Sequence, residues 1–191
     1  MARPSFFMNK LCSLASSLIT VLLLFTVTSS QAAPPSETQS KLNDGYFLLY
    51  QLADNEDQLP LLFTVKHAPP ELVDYAKQIS RMAKETMADI ERMQDKDHAI
   101  KFDHNPLPAM EQDTRASIKG DKQHQLLFGT TDAEFVRALL VSQIEASTYA
   151  TNLAKVLADQ ETNPDRVKTL QHISAKWMKL RNQAYGILRN Y

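Results

Sequence analysis

The chain has 191 residues, 21 Lys+Arg against 22 Asp+Glu, one cysteine and four glycines. That length fits one domain with a core of its own. One cysteine excludes a disulfide framework and multi-cysteine metal centres, isolated glycines exclude a glycine-rich phosphate loop, and a formal charge of −1 argues against nucleic acid as a partner.

The first segment reads as a signal peptide over residues 1–32. Arg3 and Lys10 give it a cationic start, Leu18–Val27 form a short apolar stretch, and Ser30-Gln31-Ala32 is a small-x-small cleavage site followed by Ala33. The apolar stretch is shorter than the roughly 20 residues of a stable membrane span. No such span is therefore expected after cleavage, the alternative being a segment retained as an N-terminal anchor. Cys12 precedes the apolar stretch, where lipoprotein processing does not occur, and leaves with the signal. Removal of residues 1–32 takes two cations and no anions, leaving 19 Lys+Arg, 22 Asp+Glu and a net charge of −3. The mature chain has no cysteine and no Asn-x-Ser/Thr acceptor, so a bacterial periplasmic or secreted location is expected.

Residues 33–191 read as one helical domain. Ser36 is a candidate N-cap, and Leu42, Tyr46, Leu49 and Ala53 fall on one face of a helix over about 37–53, weakened by Gly45. Asn55–Gln58 is a polar break. Leu61–Val65 could form a strand but has no second strand to pair with, so a short helix or apolar connector is preferred. Pro69-Pro70-Glu71 opens a helix over about 70–94, with Leu72, Tyr75, Ile79, Met82, Thr86, Ile90 and Met93 inward. Arg81 and Glu85 are spaced to pair on its outer face.

Asp95–Leu107 reads as a long polar loop. A weaker helix over about 108–118 follows, holding Glu111 and Arg115 at i,i+4; Gly120 should interrupt it, and the apolar run Gln125–Phe128 ends at Gly129. Thr131-Asp132-Ala133-Glu134 is a capping box for a helix over about 132–160, with Phe135, Leu139, Ser142, Ala146, Tyr149, Leu153 and Val156 as its stripe. Asn163-Pro164-Asp165 starts the last helix, about 164–189, with Leu170, Ile173, Trp177, Leu180, Ala184 and Ile187 inward. The fold expected is all-α: an up-down four-helix bundle with extra short helices, preceded by a signal peptide.

Pro69-Pro70-Glu71-Leu72, the segment Leu107-Pro108-x-x-Glu111-x-x-x-Arg115, and the last hairpin through Tyr149, Glu161-Thr162-Asn163-Pro164 and Trp177 give the chain an architecture that resembles the ferritin-like bundles of uncharacterised exported bacterial proteins. The resemblance would cover most of residues 37–190. Ferritin-like folds include di-iron carboxylate enzymes, so it brings metal into question.

A di-iron bundle needs Glu-x-x-His on two helices and a glutamate on each of the others. No Glu-x-x-His occurs here, the first helix, read as ending near residue 53, has no glutamate on its apolar stripe, and Glu71, Glu85 and Glu91 lie off the stripe of the second. Glu145, flanking Ser142 and Tyr149, is the remaining inward candidate. The loop with His98, Asp103 and His104 offers imidazoles and carboxylates that suit Zn²⁺ or Cu²⁺, although a solvated charged loop explains it as well. His98, His104, Asp103 and Glu145 are thus the candidate metal ligands. No catalytic residue is assigned: there is no Gly-x-Ser-x-Gly, no His-Glu-x-x-His and no mature cysteine. Tyr46, Tyr149, Trp177 and Tyr185 could line an aromatic cage, but at helical spacing they read as core.

Two function classes remain. One is a non-enzymatic exported bundle that binds an envelope protein or itself, with no cofactor. The other is a metal-binding or redox bundle carrying a transition metal ion. The apolar stretch Leu59–Val65 is the part least explained by four helices. It fills the end of the bundle or, if Leu62 and Phe63 are exposed, supplies a partner surface.

Overall fold

The computed structural model describes residues 36–128 and 132–191. The signal segment, its cleavage site at Ala32–Ala33, Cys12, Gly129 and Thr131 of the capping box lie outside the described residues. Those residues form α1 (Glu37–Asp57), a 3₁₀ turn (Leu59–Thr64), α2 (Pro70–Lys96), α3 (Ala109–Phe128), α4 (Asp132–Gln160) and α5 (Pro164–Leu188), with no strand among them.

Local chemistry sets the ends. Ser36 Oγ accepts the Gln39 N–H at 3.2 Å and caps α1. Pro70 stands in the first turn of α2, where a missing N–H costs nothing. Asn163 Oδ1 accepts the N–H groups of Asp165 and Arg166 and starts α5. Gly120 does not interrupt α3, which runs through it. An exposed glycine costs a helix only about 1 kcal/mol, and the Lys, Gln, Arg and Ala residues around it favour helix.

Each of α1 and α5 packs against both α2 and α4. The contacts make every neighbouring pair antiparallel. Tyr50 of α1 meets Glu91 of α2, while Asn43 reaches the backbone of residues 99 and 101. Ser174 of α5 donates to the Thr151 carbonyl of α4 at 2.9 Å. Along α1, α2 and α5 the buried side chains include every member of the expected stripes. Trp177 is completely buried, and its indole N–H donates to Thr86 Oγ1 at 3.1 Å.

α4 departs from expectation. Its buried face carries Gln143, Ser147, Ala150, Ala154 and Leu157, whereas Tyr149 and Val156 are exposed. Phe135 and Leu139 of the expected stripe are buried, but from residue 142 on the inward positions fall one residue later than expected, and several of them are small. Gly45 of α1 lies against Leu157 of α4: a Cβ there would lie 2.5 Å from Leu157 Cδ2, so any larger residue requires the leucine side chain to move.

Leu59–Thr64 is a 3₁₀ turn with Pro60 in its first turn. Leu59 is buried. Leu62 and Phe63 turn inward onto the core, with Phe63 edge-on to Phe135 at a ring separation of 6.3 Å, while Leu61 and Val65 stay outside. The polar loop after α2 is also tied down: Ile100 is buried, and Phe102 stacks on Tyr50 at 4.7 Å. Glu85 does not form the expected pair with Arg81; its carboxylate reaches Lys176 of α5 at 2.7 Å. Arg115 pairs with Glu111 at 2.7 Å as its spacing indicates.

Candidate functional site

Two polar clusters inside the fold stand out, and neither coincides with the candidate metal ligands His98, Asp103, His104 and Glu145. The first lies at the α4–α5 turn. Glu161 follows the last turn of α4, and its side chain is almost wholly buried. Its carboxylate accepts from the Tyr46 hydroxyl (2.8 Å), from Arg166 Nε and Nη2 (2.8 Å each), and from the backbone N–H groups of Thr162 (2.8 Å) and Asn163 (3.0 Å). Arg166 also bonds Asp97, which closes the C-terminal end of α2. Burial opposes the charge on Glu161. The bonds from Arg166, the Asn163 amide, Tyr46 and the Thr162 amide outweigh it and bring the carboxyl down to about 2. Tyr46 is pushed the other way, by burial and by its bond to Glu161. A carboxylate with five donors and a guanidinium engaged on both edges have no capacity left for proton transfer. This cluster is a clamp that ties α1, the loop after α2, α4 and α5 together.

The second cluster lies between α1 and α4, beneath α3. α1 extends one turn beyond Ala53, which places Glu56 on the inward stripe. Gln143 Nε2 donates to Glu56 Oε2 at 2.8 Å. One turn along α4, Ser147 is completely buried near the Tyr75 hydroxyl, which itself donates to the Leu180 carbonyl at 3.3 Å. Ser147 is close enough to draw the Tyr75 pKa down, against the dominant effect of burial, yet its Oγ makes no hydrogen bond of good geometry. Gln143 Oε1 is likewise buried and unbonded. Burial holds the Glu56 carboxyl above its usual range, opposed by the Gln143 bond and the charges of Lys122 and Lys119.

α3 lies over this region and is held largely by polar contacts. Lys119 Nζ donates to Asn55 Oδ1 at 2.6 Å, and Lys122 pairs with Glu145 at 2.8 Å. Leu126 is its only buried residue among those described, and Met110, Ile118 and Phe128 are exposed. Between α3 and α4 is a cleft of about 380 Å³, with Leu126, Ala138 and Val141 as its apolar part and Lys122, Arg137 and Glu145 as its charged part. A smaller cleft of about 170 Å³ lies beside the Glu161 clamp. Its Arg92 is engaged by Asp89 and its Arg166 by Glu161 and Asp97.

The residues considered as metal ligands are not brought together. His98, Asp103 and His104 are exposed on the loop after α2. Glu145, expected toward the core, points outward to Lys122, because α4 is rotated from the expected phase. Among the described residues no group of three or more His, Cys, Asp or Glu could hold a metal ion. Of the four aromatic residues, Tyr46 and Trp177 are buried on separate contacts, and Tyr149 and Tyr185 are exposed.

Both clusters left a trace in the sequence. Glu56 is three residues beyond Ala53, in phase with Leu42, Tyr46 and Leu49. Gln143 and Ser147 are spaced i,i+4 in phase with Val136 and Leu139. Glu161 and Arg166 straddle the Asn163-Pro164 start signal. No family model, curated protein or solved structure matches the chain.

Proposed function

We propose that this is an exported protein, periplasmic or secreted, in which α1, α2, α4 and α5 form an up-down four-helix bundle that acts by binding rather than by catalysis. In this reading α3 is the contact element, and its partner is an envelope protein. The observation that carries the proposal is the contrast between α3 and the other helices. α3 is 20 residues long and buries one residue among those described, whereas the other four α-helices each bury five or more. Helices in water derive most of their stability from a buried face. A long helix with almost none gains what it lacks from a further surface. Exposed Met110 and Ile118 offer apolar contacts for one.

Support for export comes from the N-terminal pattern of cationic start, short apolar stretch and Ser30-Gln31-Ala32. No helix among the described residues is long and apolar enough to cross a membrane.

Site-specific photocrosslinking in the native envelope tests the binding role. A crosslinker at Met110 or Ile118 is expected to capture one discrete species that a crosslinker at Lys77, on the outer face of α2, does not. Identical patterns from both helices would remove α3 from the proposal.

A further inference from the structure

The layer beneath α3 combines groups that a folded interior rarely leaves together. Glu56 presents a carboxylate whose one direct side-chain bond is the 2.8 Å contact from Gln143 Nε2. The same amide presents Oε1 with no donor, although Gln143 is only 3% exposed. Ser147 Oγ, one turn away on the same face of α4 and 0% exposed, has no partner of good geometry either. Tyr75 brings a fourth oxygen, whose proton is directed to the Leu180 carbonyl. Buried polar atoms are nearly always satisfied, and leaving one unsatisfied destabilises the fold.

The geometry points to a binding site for a monovalent cation, sodium or potassium, held by oxygens of Glu56, Gln143, Ser147 and Tyr75.

The charge balance selects the valence. One carboxylate neutralises one positive charge, whereas calcium sites draw on several carboxylates. The two lysines near Glu56 make their direct contacts elsewhere, Lys119 on Asn55 and Lys122 on Glu145, so neither is bonded to its carboxylate. The donors are all hard oxygens, which exclude the ions that prefer imidazole or thiolate. An oxygen-bound cation would satisfy Gln143 Oε1 and Ser147 Oγ at once and compensate a carboxylate that burial otherwise penalises. It would also leave in place the amide bond from Gln143 Nε2 to Glu56.

Thermal unfolding of the purified protein tests this, in sodium, potassium or choline chloride at equal ionic strength and neutral pH. A melting temperature several degrees higher in sodium or potassium than in choline is expected. That difference should vanish in Glu56→Gln and shrink in Ser147→Ala, which keeps the charge and removes one ligand. If Glu56→Gln does not fold, Ser147→Ala alone decides. Equal melting temperatures in the three salts would overturn the site. A salt difference retained in both variants would place the cation elsewhere and overturn it equally.

Discussion

Glu161 and Trp177 show how single residues hold this fold. The Glu161 carboxyl titrates near 2 in the folded chain and near the ordinary glutamate value of 4.5 when unfolded. Its ionised form is therefore the stabilising one. The contribution is complete above pH 4.5 and is lost as pH falls toward 2. A separation of that size corresponds to about 3 kcal/mol. Glu161→Gln is expected to lower stability at neutral pH by roughly 3–5 kcal/mol, because it leaves Arg166 buried without its main partner. It should also flatten the loss of stability between pH 4.5 and 2, measured by urea unfolding across that range. A variant that keeps the wild-type acid slope would show that another group carries it. Trp177→Ala is expected to cost about 3–5 kcal/mol, as large aromatic truncations in cores do. A loss below about 1 kcal/mol would contradict its complete burial.

At the scale of elements, Gly45 decides how closely α1 meets α4. Alanine there gains up to about 1 kcal/mol of helix propensity but must displace Leu157. Gly45→Ala is expected to destabilise the protein, and to become neutral or stabilising once Leu157→Ala makes room. A double-mutant cycle measures the difference, and additive effects would contradict the contact. In α1, α2 and α5 most inward positions carry apolar residues at regular helical spacing, so the pattern identifies them. In α4 the inward face holds Gln143, Ser147, Ala150 and Ala154, while Tyr149 and Val156 look outward. Apolarity points to the wrong phase over that half of the helix, because small and polar residues carry no apolar signal. The candidate sites were hidden for a related reason. Glu56 and Glu161 stand at helix ends that read as polar breaks. Their partners Gln143 and Tyr46 are 87 and 115 residues away, and no local pattern connects them.

The described residues combine four helices with extensive buried faces and a fifth, α3, that buries one residue. All-α character and most helix boundaries are legible in apolar periodicity. The attachment of α3 is not, because it depends on which surface its lysines reach. Lys122 and Glu145 are both substantially exposed, and such pairs contribute about 0–1 kcal/mol and weaken with salt. Export is tested on the same scale: N-terminal sequencing of protein from the envelope should begin at Ala33, and a chain still starting at Met1 in the membrane fraction would refute cleavage.

Native-state amide hydrogen exchange, read helix by helix on the isolated protein, most directly tests whether α3 is a separately mobile contact element. Amides of α3 are expected to exchange through local opening that costs only about 1–2 kcal/mol, and faster still in high salt, while the inner amides of α1, α2, α4 and α5 exchange only on global unfolding. Protection across α3 equal to that of α4 would contradict the account, because α3 would then be a fixed part of the core.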